Sequence, residues 1–387
     1  MPVFDLIVLG LGATGSATAY QAAKRGMSVL GIDQFAPPHA QGSSHGETRV
    51  TRQAIGEGDA YVPLVLRANE IWREVERETG ADLMTVTGGL WISSPARQAE
   101  THVANFFDNT LQAARRFGIE HEVLAAGDIR KRFPQFSVRD NEAGYYEPGA
   151  GFLRPEACVA AQLQLAARCG AEIRVGERVE GFRESGGGVT VSTDRGTVAG
   201  KRLAICAGPW VRRFVPPEVA LLFTVTRQVM FWFEVVTPAR YRPPAFPTWI
   251  WELQDRRNVI YGTPAIDGTA SIKVATEQYA RATSAEDVLR AVTAEEIRAM
   301  QEELVLPYLP EATGRCTKTA TCLYTATPDF QFVVDRVPGH EGVLLASPCS
   351  GHGFKHSAAV GEMVAELAAE GRSRIPAEPF SLRRFAA

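Results

Sequence analysis

The sequence predicts a mixed α/β protein (α+β in its second half) built in two parts, and three observations carry that expectation. The chain opens with an apolar run at residues 6–9, a glycine turn, an Ala-rich segment of helical spacing and a second apolar run. After residue 220 the texture changes: β-branched and aromatic residues crowd into runs such as Val225, Val229, Phe231, Trp232 and Phe233, as in antiparallel strands. After residue 318 the strand, glycine turn and helix style returns. These observations point to a Rossmann-like nucleotide-binding domain joined to a mainly antiparallel β-sheet domain.

Gly10-Leu11-Gly12-Ala13-Thr14-Gly15 fits GxGxxG between the first strand and the first helix. Gly10 permits the tight turn, Gly12 lets a pyrophosphate approach the backbone, and Gly15 lets helix and strand pack closely. The unpaired N–H groups where the helix starts, at Ala13 and Thr14, suit phosphate oxygens. Asp33 ends the second strand, where a carboxylate accepts from an adenosine ribose hydroxyl. A glycine-rich turn in an ordinary α/β protein is the plain alternative. Strand, helix, strand and acid in register favour a dinucleotide, without separating FAD from NAD.

The bulk properties narrow the class. A chain of 387 residues, 45% hydrophobic and 22% charged, suits a globular protein of two domains. A net charge of −3 gives no electrostatic reason to expect nucleic acid or an anionic membrane. No apolar run has the length of a membrane span, and no basic region precedes the first apolar segment as in a signal peptide, so a cytoplasmic location is the expectation. The six cysteines are scattered without a CxxC pair, which argues against a zinc site and a disulfide framework.

Past Asp33, residues 42–52 are small, polar and basic, a loop unable to build a core. Residues 61–80 read as an amphipathic helix, 83–92 as a strand pair around Gly88-Gly89, 96–117 as a long helix, and 128–133 as a short helix stopped by Pro134. A helix over 155–169 precedes short strands at 171–175, 177–184, 189–193 and 197–198. The strand at 202–206 ends in Ala207-Gly208-Pro209-Trp210, a small-residue turn where a ligand can approach backbone. Strands are expected at 248–253, 258–262 and 270–275, and a helix over 284–306. The last part predicts strands at 318–325, 330–335 and 342–346. The turn Pro348-Cys349-Ser350-Gly351-His352-Gly353-Phe354-Lys355 then opens a helix that ends at Gly371.

Six motifs in fixed order carry a resemblance: GLGATG, PPHAQGSSHGETRVTRQAIGEGDAYVPLVLRA, EPGAGFLRPE, CAGPWV, Thr321-Cys322-Leu323-Tyr324-Thr325 with a nearby Pro-Asp, and SGHGFKHS. The chain resembles the monomeric sarcosine oxidase and N-methyltryptophan oxidase group, within the FAD-dependent amine oxidases related to D-amino-acid oxidase. The resemblance spans essentially the whole chain. It implies a discontinuous FAD-binding domain (1–82, 150–218 and 318–387) and a substrate domain (83–149 and 219–317), acting as a monomer on a small secondary amine with O₂.

The resemblance also implies roles. Cys322 matches the cysteine that bonds the flavin 8α carbon, though by chemistry alone a strand cysteine is usually a small buried hydrophobe. Cys316 is its rival by proximity. Lys273 matches the lysine that activates oxygen, where a fixed cation stabilises developing negative charge; a solvated strand lysine is the bland alternative. Arg52 and Lys355 match the pair holding a substrate carboxylate, the first by its fork and the second as a point charge. Arg49 matches a cation beside the flavin ring. His45 and Thr48 belong to the same cofactor-lining loop, and Gln34, Ser43, Val179, Ala207, Gly208, Trp210, Gly351, Gly353 and Phe354 are expected along the cofactor. The helix after Lys355 would favour the negative charge of a reduced flavin. Tyr261 and Tyr324 are candidates for the pocket wall, with ordinary strand packing equally open. One departure stands out: the family histidine four residues after the lysine is Glu277 here, an acid that would repel a carboxylate. The resulting expectation is an FAD-dependent oxidase of secondary (N-methyl or N-alkyl) amino acids that yields an imine and hydrogen peroxide. The alternatives are a flavin amine dehydrogenase with another electron acceptor, with Lys273 merely structural, and a flavin-binding protein without amine turnover.

Overall fold

The opening apolar run becomes the strand Val3–Leu9, which sits inside an eight-stranded sheet. The structure, a computed structural model, describes residues 3–266 and 268–385. Val3–Leu9 pairs in parallel with Val29–Asp33 on one side and Gly196–Ile205 on the other. Glu172–Val175 and Val343–Ser347 extend the parallel core outward. Gly188–Thr193, Val179–Ser185 and Val333–Arg336 add antiparallel strands. Leu6, Ile7 and Val8 are fully buried, as expected where a parallel sheet is covered on both faces.

The helix Ala13–Lys24 explains its own alanines. It packs against Pro155–Arg168 and against Ser357–Glu370, so bulky residues would not fit. At Gly361 an added Cβ would lie 2.3 Å from the Ala17 Cβ, so the two backbones meet almost directly.

The second sheet has nine strands and is mainly antiparallel. Thr224–Val235 pairs with Ala312–Ala326 along one edge and with Ser271–Thr276 and Ala282–Thr283 along the other. The sheet continues through Val259–Thr263, Thr248–Glu252, Gly89–Ser93 and Ala143–Glu147 to Glu122–Ala125. A small antiparallel sheet of Arg49–Thr51, Gly151–Leu153 and Met84–Val86 completes the strands of this region.

Four expectations need correction. The pair expected over 83–92 is not a hairpin: Met84–Val86 joins the small sheet and Gly89–Ser93 the large one. The chain is redirected at Gly88, with φ +73° and the Tyr146 hydroxyl 2.2 Å from where a Cβ would stand. The helix expected over 96–117 is Phe106–Phe117 alone, because Gln98 and Ala99 donate their N–H groups to the Leu253 carbonyl (3.1 and 2.9 Å) and Glu100 to that of Arg257 (3.1 Å). The helix expected over 284–306 begins only at Ala294, where Thr293 and Glu296 cap each other, and it widens over Met300–Val305. Arg227 draws the Leu289 and Ala291 carbonyls out of any helical ladder. The strand expected at 318–325 is the middle of Ala312–Ala326 and pairs in the second sheet, so a boundary at 318 cuts through it. Among the described residues no helix is long and apolar enough to cross a membrane.

Candidate active site

A long cleft runs from the glycine turn at the end of Val3–Leu9 to the face of the nine-stranded sheet. At its first end Gly10 adopts φ +85°, and a Cβ there would meet the Cys206 carbonyl at 2.5 Å. Gly12, by contrast, would meet only the Ser44 hydroxyl, at 3.3 Å, so its backbone is open to the cleft. Ala13 donates its N–H to the Ser44 hydroxyl (3.0 Å), and Thr14 follows on the same helix start. Asp33 accepts from the N–H groups of Leu11 (2.7 Å) and Phe35 (2.8 Å), which ties the turn to the second strand and keeps a carboxylate in the lining. Gln34, Val179, Ala207, Gly208 and Trp210 wall the same end. An open glycine backbone, a helix start and a strand-end acid fit the adenosine and pyrophosphate half of a dinucleotide.

Two residues of the expected cofactor-binding set, Gly15 and His45, are set back from the cleft, Gly15 in the packing role its motif predicts. Gly15 is outside the cleft wall; its place is packing, since a Cβ would stand 1.7 Å from the Gly10 carbonyl oxygen. His45 is buried behind the loop, where burial and then the charges of Arg49 and Lys273 push its pKa down to about 3. Ser43 does line the cleft, but its hydroxyl donates to the Leu323 carbonyl. Its neighbour Ser44, which the sequence reading passed over, faces the helix start instead.

At the other end Lys273 projects from Ser271–Thr276 and donates to the carbonyls of Gly46 (3.0 Å) and Thr48, and to the Thr48 hydroxyl (3.0 Å). The loop can present both carbonyls because Gly46 and Glu47 have φ of 102° and 67°. From its other side Glu156 accepts the N–H groups of Gly46 (2.6 Å) and Glu47 (3.2 Å). Arg49 braces the same loop through the carbonyls of Thr48 and Ser43, each at 2.9 Å. Burial, and then Arg49, push the Lys273 pKa well below its ordinary value. Cys322 is packed with Met230, Trp232 and Ala275 and lines the cleft. Burial raises its thiol pKa, and Arg49 and Lys273 oppose that rise. Cys316 is on the outer part of the strand, with its sulfur 3.3 Å from the Lys318 carbonyl, away from the cleft. A second cysteine not weighed from sequence, Cys349, does line it, and its sulfur accepts the Thr325 N–H at 3.3 Å.

Beyond Cys322 the cleft is lined by tyrosines and then by charged groups. The hydroxyls of Tyr261 and Tyr324 are 3.0 Å apart. Gly351 has φ +88°, and a Cβ there would press on Tyr279 and Tyr324; at Gly353 it would lie 1.7 Å from the Pro348 carbonyl. Phe354 lines the cleft and stacks on Trp72 (ring centroids 6.4 Å). Lys355 belongs to a short turn, Phe354–His356, that precedes the helix Ser357–Glu370, and its ammonium donates to the His352 carbonyl (2.7 Å). Burial pushes its pKa down to about 7 against the pull of Glu57.

Arg52 lines the far end of the cleft and is partly engaged already: its Nη2 donates to both oxygens of Glu57, each at 2.7 Å, and its Nη1 to the Ala54 carbonyl at 2.9 Å. Burial alone would raise the Glu57 carboxyl, but Arg52, His352 and Lys355 hold it well below the usual carboxylate range. Glu277 is likewise not a lone acid: His102 Nδ1 lies 3.0 Å from its carboxylate. His102 Nε2 is 3.6 Å from Glu57. Burial would lower the His102 pKa, but Glu277 and Glu57 outweigh it and raise it to about 10. Glu57, His102 and His352 have ligand atoms within 4.8 Å of one another. With both Glu57 oxygens already on a guanidinium, the group is an ion-pair array rather than a metal centre. The sequence carried no signal for His102. Glu57 sits inside a quoted motif, and its spacing from Arg52 was the one available hint.

Comparison with known proteins accords with this geometry. A profile of the FAD dependent oxidoreductase family matches residues 5–367. The chain is 40% identical to monomeric sarcosine oxidase of Streptomyces avermitilis, over 100% of this chain and 99% of that protein. It is 34% identical to N-methyl-L-tryptophan oxidase of Escherichia coli O157:H7, over 99% of each. Among solved structures, NikD, described as an unusual amino acid oxidase essential for nikkomycin biosynthesis, superposes with a TM-score of 0.84 at 22% identity, covering 98% of each chain. Glycine oxidase from Geobacillus kaustophilus superposes with a TM-score of 0.77 at 19% identity, covering 99% of each. With a family match over nearly the whole chain and full-length relatives well above 30% identity, this chain belongs to the FAD-dependent oxidoreductases, in the group that holds monomeric sarcosine oxidase and N-methyl-L-tryptophan oxidase.

Proposed function

We propose that the protein is an FAD-dependent oxidase of secondary amino acids, acting as a monomer. The observation that carries the reading is one cleft with a dinucleotide turn at one end, Cys322 and Lys273 midway, and Arg52 and Lys355 at the far end. Bound FAD supplies the electron acceptor for the amine C–N bond and returns the electrons to O₂. The chain's own residues do the rest. Gly12, Ala13 and Asp33 hold the adenosine half, and the cofactor is tethered through the Cys322 sulfur. Lys273, fixed on the Gly46–Thr48 loop, is placed to take up positive charge as oxygen is reduced and so to stabilise the developing anion. Arg49 adds a second cation beside the ring. Lys355, with whatever part of Arg52 is not engaged by Glu57, holds the substrate carboxylate, and Tyr261 and Tyr324 wall the amine. The enclosing division is a nucleotide-binding body and a substrate body, with the strand Ala312–Ala326 in the latter.

Anaerobic mixing with N-methyl amino acids tests the reading: flavin absorbance near 450 nm should bleach, and admission of air should restore it with about one peroxide per amine. Failure of every N-alkyl amino acid to bleach the flavin sinks it. A specific observation keeps the dehydrogenase reading alive, namely that the hydrogen bonds donated by the Lys273 ammonium all end on the Gly46–Thr48 loop. Bleaching that air does not reverse, with turnover on an artificial acceptor, selects that alternative. For the tether, Cys322→Ser should leave an acid-precipitated pellet colourless, whereas the unaltered protein gives a yellow one.

A further inference from the structure

The far end of the cleft holds an alternating row of charges that neither the family name nor the relatives' names explain: Glu277, His102, Glu57 and Arg52, each beside the next. His102 comes from the irregular segment before Phe106–Phe117. That segment is sewn to the second sheet by the N–H groups of Gln98 and Ala99 on the Leu253 carbonyl. The imidazole enters the cleft wall among the rings of Phe106 (6.2 Å), Tyr279 (6.2 Å) and Phe330 (5.8 Å) and stacks on His352 (5.5 Å). Only 5% of its side chain is exposed. Its Nε2 has no hydrogen-bond partner and faces Glu57 from beyond bonding distance.

The sign of the site depends on this one residue. Without His102, the carboxylates of Glu277 and Glu57 would face Arg52 and a Lys355 whose positive charge burial disfavours, leaving a site neutral to negative. Such a site repels a carboxylate. In a wall of rings with little water the repulsion is poorly screened. A protonated His102 restores a neutral to positive site. Two carboxylates flank it, and the other groups facing it are the His352 imidazole and the three rings, so no competing cation displaces its proton.

We propose that His102 is a specificity-determining residue: it cancels the charge of Glu277, so the site selects N-alkyl amines that keep a free carboxylate over their esters, amides or polyamine counterparts. The inference rests on the amine-oxidase reading for its substrate, but not for its electrostatics.

The test compares His102→Gln, Glu277→Gln and the double variant with the unaltered holoenzyme. Each is reduced anaerobically with an N-methyl amino acid and with its methyl ester. The unaltered protein should prefer the acid by about tenfold or more, His102→Gln should lose about tenfold of that preference, and the double variant should regain it. An unchanged preference in His102→Gln overturns the proposal. If no amine bleaches the unaltered protein, the function reading has failed. The inference is then read by titrating benzoate, which cannot be oxidised, against the flavin spectrum. Its affinity should drop about tenfold in His102→Gln and recover in the double variant, and equal affinities overturn the proposal. Should His102→Gln not fold, Glu277→Gln alone should bind benzoate severalfold tighter; no gain overturns it. Independently, ¹⁵N NMR at pH 8 should show His102 as an imidazolium, and a neutral ring there is equally fatal.

Discussion

Lys355 shows how much of this site is set by burial. Its ammonium donates to the His352 carbonyl, and desolvation outweighs the attraction of Glu57, leaving a pKa of about 7 against 10.5 in an open chain. The folded pKa is lowered, so between these values the unfolded chain holds a proton that the folded one has released. The penalty for burying this group is therefore full below pH 7 and disappears as pH rises toward 10.5. Ligand binding has the opposite dependence, because a carboxylate binds the charged form. Benzoate affinity should accordingly be greatest below pH 7 and fall by up to about tenfold per unit above it, until the raised pKa of the complex is passed. Lys355→Met should bind weakly with this slope removed, and a retained slope would place the titration on another group. Lys355 itself was legible in its motif, as were Lys273 and Cys322. Their partners were not. His102 and Glu277 are 175 residues apart, and nothing in the pattern around either announces the other. Glu57 reads in one dimension as a solvated acid, and only its meeting with Arg52 makes it the counter-ion that occupies the fork.

At the scale of elements, the helix Ala13–Lys24 is a spacer as much as a support. Its small residues set the distance at which Ser357–Glu370 lies, and that helix carries the Lys355 turn at its start. Gly361→Ala would place a Cβ 2.3 Å from that of Ala17 and 2.6 Å from the Ala17 carbonyl carbon, so the helices must part. Overpacking of this kind costs about 1–3 kcal/mol. A lowered denaturation midpoint with unchanged m-value in chemical unfolding is expected, together with weaker carboxylate binding as the turn shifts. Elements whose periodicity agrees with their packing, such as Tyr61–Thr79 and Pro155–Arg168, could be read from the sequence to within a residue or two. The stretches misread as helix, 96–105 and 284–293, have helical composition. They stay irregular because tertiary partners take their backbone groups: Leu253 and Arg257 carbonyls in the first case, the Arg227 guanidinium in the second.

At the scale of the whole molecule, a cleft runs from the glycine turn of the eight-stranded sheet to the face of the nine-stranded one. In the proposed function an FAD would lie from Gly12 to Cys322 and join the two sheets, so its binding energy would also be stability. Cys322→Ser freed of FAD should melt below the reloaded protein, with the midpoint climbing as FAD is added. A hundredfold excess over the dissociation constant corresponds to about 2.7 kcal/mol. A midpoint indifferent to FAD would mean the sheets are held without it. The same architecture governs how the chain is made. Val3 is made well before its register partner Ala199, which lies 196 positions later (199 − 3). At roughly 5–20 residues per second, the first strand waits about ten to forty seconds on the ribosome with one edge bare. The Lys355 turn comes later still in the chain, so the cleft is complete only after that turn has been made. A ribosome stalled between these points would display a bare apolar strand edge, a starting point for aggregation.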